Sequence, residues 1–235
     1  LATDKIAALT ATQVTGLNTI TLRALTTDQV VALTTAQAKA LTNTQLAAMT
    51  TAQVKALETQ DFAAITATGV TAFSTAQIGV LSAAQVTALT TAQAVNLTSA
   101  QLNVLNSTQL GGLETTDLKV LNVTQVGALS STIVTALTTN QLAALTSTQV
   151  GALKAGQVTG LSSSQVAALS ASGVGILTTA TVLGLSTTQI SGLTTAQAAA
   201  LINTQVAAMR TDQTAAITTA DLAAMTVASV QALKT

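Results

Sequence analysis

Residues 32–57, ALTTAQAKALTNTQLAAMTTAQVKAL, state nearly the same phrase three times. Leucine or methionine, then threonine, then glutamine return every eight residues, which is the period of neither an α-helix nor a β-strand. In one continuous helix eight residues turn through about 800°, so each leucine would sit about 80° further round and no face would stay apolar. A straight strand would place the first and sixth residues of the repeat on opposite faces, separating its two best hydrophobes. The chain must therefore turn once per repeat.

The phase holds from end to end. Stepping by eight from Leu1 to Leu233 meets 30 residues, 24 of them leucine and none polar. With Leu9 as position 1, position 2 is Ser, Thr or Asn in 23 of 29 repeats and position 5 is Gln in 19. Position 6 is apolar except at Thr214, and position 8 is Ala or Gly in 24 of 29 repeats. The consensus L-T-T-A-Q-V-x-A runs without insertion or deletion, so a single continuous repeat domain over residues 1–235 is expected.

The residues also say how the chain turns. Thr34 to Gln37, Thr50 to Gln53 and Thr90 to Gln93 have the capping-box spacing: the Thr hydroxyl accepts from the third amide of the helix while the Gln side chain reaches back to the cap amide. Good helix formers follow, with Val and Leu three apart on one face. Each repeat should be one helix of about a turn and a half, ended by the next cap. All eight acids stand at positions 2, 4 or 5, and Arg23, Lys39, Lys55 and Lys119 at position 7. That is the polarity a helix dipole favours, which Lys154, Arg210 and Lys234 at the cap position oppose.

Helices this short are unstable alone, so stacking must hold them, with small residues at position 8 allowing close approach. The expected fold is all-α, a compact α-solenoid with Leu and Val inside and Thr and position 7 outside. A β-solenoid is the rival, because Thr and Val are good strand residues. Phe62, Phe73 and the three Met residues read as core. Gly69 and Gly173, which replace the capping Gln, read as loosened corners. The sequons at Asn96, Asn106 and Asn122 arise readily by chance in a threonine-rich chain.

Composition removes whole classes of chemistry. Without His or Cys the chain has no ordinary zinc site, thiol nucleophile, imidazole base or Ser-His-Asp triad. Eight basic and eight acidic residues cancel, leaving no phosphate-neutralising surface for nucleic acid. Mean hydropathy is +0.57, yet recurring Thr, Ser and Gln interrupt every 18-residue window, so no transmembrane helix is expected. No signal peptide is legible, and a start at Leu1 reads as a mature or internal segment. No residue is singled out as catalytic, cofactor-binding or metal-binding, and no enzyme activity is expected.

Two resemblances follow from these motifs. Leu25–Leu33, LTTDQVVAL, resembles the opening of a TAL-effector repeat, which implies a helix starting after Thr26; the base-reading dipeptide and the period near 34 are not there, and DNA recognition is not implied. Over its whole length the chain is similar to the L-T-x-x-Q-[VIL]-x-x-L tracts of very large bacterial surface proteins labelled as haem-utilisation or adhesion proteins. That resemblance implies an extended stalk or fibre at the bacterial cell surface; separately, Leu1 and Leu233 fall in the same phase as the interior with no distinct polar cap, so continuation by the same chain or head-to-tail self-association is expected. A haem role is not carried over, since no His, Cys or Tyr is present to bind iron. The alternative is a repetitive binding surface for ice or polysaccharide, made of exposed threonines such as Thr27, Thr35, Thr51, Thr75 and Thr91.

Overall fold

The computed structural model describes residues 2–233, in which 28 α-helices of four to six residues and one 3-10 turn follow one another with no β-strand. The all-α solenoid is therefore the fold, and the β-solenoid is excluded. Lys234, one of the three bases at the cap position, lies outside the described residues. The chain divides into two compact units, Leu1–Val120 and Leu121–Thr235, both filled by the same repeat.

Most helices start where a capping box places them. In the helix Thr51–Ala56 the Thr50 hydroxyl accepts from the Gln53 amide at 3.2 Å, and Gln53 Oε1 accepts from the Thr50 amide at 2.9 Å. The helix ends at Leu57, whose extended backbone (φ −58°, ψ 131°) carries the chain round the corner to the next cap. Among the described residues none has positive φ, so the corner needs neither glycine nor proline.

Within each unit every helix packs on the third helix after it. Thr27–Val31 lies against Thr51–Ala56 and Thr35–Ala40 against Thr59–Ala64, as Ser147–Gly151 does against Ala171–Gly175 in the second unit. Three octapeptides thus make one triangular coil, a number the repeat alone does not reveal. Positions 1 and 6 point inward along the coil, and Leu46, Val54, Phe62, Val126, Leu142 and Val150 are all fully buried. Phe62 and Phe73 stack inside the first unit with ring centroids 5.9 Å apart, filling core as the sequence suggests. Their offset stacking adds about 1 kcal/mol to the area they bury.

Small residues do let the coils approach. A Cβ on Gly112, at position 8, would meet the Ala83 carbonyl oxygen at 2.7 Å. The expectation for Gly69 and Gly173 needs correcting in one respect. Both corners lack the glutamine, and at Gly69–Ala72 the helix becomes a 3-10 turn, but the packing there is tighter rather than looser. A Cβ on Gly173 would stand 2.5 Å from Val150 Cβ, so the neighbouring coil occupies the space a side chain would take. Ser170 still caps the Gly173 amide at 3.2 Å, and Ala171–Gly175 stays α-helical.

Candidate functional site

Position 5 is where polar chemistry enters the interior. Most of its glutamines are buried: Gln37, Gln85, Gln93, Gln197 and Gln205 are each 1% exposed. Burying a primary amide costs several kcal/mol unless its donors and acceptor are all met. Here they are. Gln85 Oε1 accepts from the Ser82 amide at 2.9 Å, closing the capping box of its own helix. Its Nε2 donates to the carbonyls of Val54 at 3.0 Å and Leu57 at 2.8 Å, which end the helix in the coil before.

The same two bonds recur at residues 31 and 28 earlier in the chain: Gln53 reaches Leu22 and Leu25, Gln93 reaches Phe62 and Ile65, and Gln197 reaches Val166 and Leu169. A helix leaves orphan N–H groups at its start and orphan C=O groups at its end. One glutamine satisfies one kind in its own helix and the other kind in its neighbour. The capping box was legible in the sequence, but the second half was not, because either Gln or Glu closes a capping box. The signal was there in the count: Gln fills position 5 in 19 repeats and Glu in none.

Departures at position 5 test the rule. Ser229 Oγ donates to the Leu201 carbonyl at 2.8 Å, and Thr181 Oγ1 to that of Leu153 at 3.4 Å, so shorter donors also reach the carbonyl 28 residues back. Departures at position 2 leave the glutamine half intact, as at Lys154 (amide to Gln157 Oε1, 2.7 Å) and Ile202 (to Gln205 Oε1, 3.0 Å). Arg210 explains why a cation is tolerated at a helix start. Its guanidinium donates to the Leu183 and Leu185 carbonyls, at the end of the helix in the coil before, and pairs with Asp212 at 3.0 Å. The Arg210 hydrogen bond in turn holds the Asp212 carboxyl below its ordinary value. Asn106 and Asn122 cap Gln109 and Gln125, so two of the sequons serve as helix caps.

Three position-5 residues are acids, and two of these break the pattern. Asp221 accepts the Thr218 hydroxyl at 2.6 Å. Asp61 and Asp117, 0% and 2% exposed, leave Asp61 Oδ1, Asp61 Oδ2 and Asp117 Oδ2 without hydrogen-bond partners. Burial pushes the Asp117 carboxyl up to about 6, with Glu114 adding to the rise. Burial raises Asp61 as well; the Thr35 hydroxyl offsets part of this without reaching hydrogen-bond geometry, and Glu58 adds to it.

Threonines at position 3, such as Thr27, Thr51 and Thr75, are exposed, and the triangular coil puts these three on one face. A surface groove between Gly79–Ala83 and Asn106–Gln109 is lined by one charged residue, Lys55, and by no acid–base pair. No helix among the described residues is long and apolar enough to cross a membrane.

The ALTTAQ repeat family model matches residues 6–43, 54–91 and 110–147. The chain is thus similar to ALTTAQ-repeat sequences over three stretches, each longer than one 24-residue coil. No curated protein matches it. Taken with the fold, this makes the chain a tandem-repeat helical protein.

Proposed function

We propose that the protein is structural, a stiff spacer that serves as the shaft of a bacterial surface fibre or adhesin and carries no catalytic activity. The observation that supports this reading is the glutamine corner, which where it recurs ties a coil to the one before it by two buried hydrogen bonds. Such ties resist bending and shear at every level of a coil, and they leave the outer positions 3 and 7 free of any demand except solubility.

The ice- or glycan-binding alternative draws on the Thr27, Thr51 and Thr75 column. The other two faces of the same unit are interrupted at position 3 by Ala67 and Ala83, which argues for the spacer. Negative-stain images and small-angle scattering test the proposal. Particle length should grow by about 8–10 Å for each 24-residue coil inserted, the spacing of packed helices. Unchanged length, or thermal hysteresis in the native chain, would count against a spacer.

A further inference from the structure

Glutamate occurs twice in this chain, at Glu58 and Glu114, and each stands three residues before one of the two buried aspartates with unpartnered oxygens. The repeats LETQD and LETTD therefore exchange both members of the capping box for acids. The exchange costs the cap: Glu58 makes no capping hydrogen bond, its Oε2 accepting instead from Gln60 Nε2 at 2.9 Å, and Glu114 Oε2 accepts from the Thr116 hydroxyl at 3.5 Å. It also reverses the chemistry of the corner. By the 31 and 28 register, Asp61 takes the place of an amide donor to the Val30 and Leu33 carbonyls, and Asp117 that of a donor to Val86 and Leu89. Ser229 and Thr181 show that a side chain of this length reaches the nearer carbonyl. Oxygen then faces oxygen in the interior, and something positive must lie between them.

We propose that the Glu58–Asp61 and Glu114–Asp117 corners are two divalent-cation sites of the calcium class, each formed by two carboxylates and by the backbone carbonyls of Val30 and Leu33, or of Val86 and Leu89. Positions 2 and 5 are close enough to share an ion: at intact corners their side-chain oxygens lie 3.2 Å apart in Thr42–Gln45 and 3.1 Å apart in Thr98–Gln101. Two carboxylates balance a double charge. All the donors are hard oxygens of mixed type in irregular geometry, which suits calcium with water completing its shell better than magnesium, which demands a near-ideal octahedron. Asp221 marks the contrast, for its partner at position 2 is Thr218, which donates to it, and no ion is needed. Such sites depart from the sequence-based expectation of no metal, which rested on the absence of His and Cys.

The test is calcium binding by the chelator-stripped full chain at pH 7.5, followed by isothermal titration with CaCl2 and by thermal melting. Two ions per chain are expected, with a melting temperature that rises with CaCl2 and responds less to MgCl2. The double variant Asp61→Gln, Asp117→Gln restores the amide donor at position 5; it should fold, lose both ions and melt above the stripped parent. The proposal is overturned if the parent binds no calcium, if the double variant binds as much as the parent, or if only protons, and not calcium, stabilise the parent.

Discussion

Replacing Gln85 by Glu changes one atom of the side chain's end and leaves its length and shape alone. The capping box survives, because a Glu oxygen accepts from the Ser82 amide as Gln85 Oε1 does at 2.9 Å. What goes is the amide that donates at 3.0 and 2.8 Å to Val54 and Leu57. Losing two buried hydrogen bonds removes about 1 kcal/mol each; the Val54 carbonyl keeps the Leu57 amide at 3.3 Å, and the Leu57 carbonyl, left without this donor, adds about 1–3 kcal/mol. The new charge, in a site 1% exposed, must be desolvated or protonated. Together these come to about 3–5 kcal/mol, the range for a broken buried polar pair.

Gln13→Glu is the control. Gln13 Oε1 accepts from the Thr10 amide at 2.8 Å, closing the same capping box, but the residue is exposed. This substitution should cost less than about 0.5 kcal/mol, as surface changes do. Urea denaturation followed by helical circular dichroism, with amide exchange at residues 54–57 and 82–89 to localise the loss, separates the two. Equal stability of the two variants would mean that the amide donor contributes nothing, and the account of why position 5 is Gln would be wrong.

The Asp117 carboxyl, raised from 3.8 to about 6, binds its proton more tightly in the folded than in the unfolded chain. In chelator-stripped protein stability should therefore be greatest near pH 4 and fall by roughly 2–3 kcal/mol as the pH rises to 6. Asp117→Asn should flatten that slope in a pH series of melts. Leu121 is 4% exposed within the second unit, so Leu121→Asp should cost roughly 3–5 kcal/mol. Thr115→Asp, at an exposed position, should shift stability by about 0.5 kcal/mol or less; similar melting of these two would contradict the assignment of inside and outside. Deleting residues 138–145 removes one helix, Thr139–Ala144, and keeps every later leucine and glutamine in phase, so the protein should fold with a modest loss. Deleting 138–141 alone joins Leu137 to Leu142 and should cause aggregation or a far lower melting point.

Much of this fold could be read from local rules, because the repeat is short enough for its caps and its hydrophobes to lie within one helix. Thr50 and Gln53 are three residues apart, and their bond is a local one. Gln53 and Leu22 are 31 residues apart, and nothing in one octapeptide says which carbonyl will lie above which amide. The number of helices per coil is of that second kind, set by how sharply residues such as Leu57 bend the chain. So is the burial of Asp61, whose position at the start of a helix reads as a solvated first-turn acid on dipole grounds alone. Gly173 is of the same kind, since the space a side chain there would need is taken by Val150 of another coil.

Because the glutamine serves two helices, the stability of a repeat depends on its neighbour. An isolated octapeptide keeps its capping box but leaves the Nε2 amide and its own final carbonyls to water, and a helix this short does not persist. A second coil supplies carbonyls to the first partner and an amide to the second, so each added coil removes two sets of orphans with one side chain. This accounts for most of the departures at position 5. Ser229 and Thr181 are accepted because they still donate, Gly69 and Gly173 because the coils close over the gap, and Arg210 works from position 2 because its guanidinium reaches the same carbonyls. Asp61 and Asp117 fit none of these solutions. Their carboxylates put a third acceptor against two others, and the corner holds only with a positive charge supplied from solution, as a proton or as an ion held with Glu58 or Glu114.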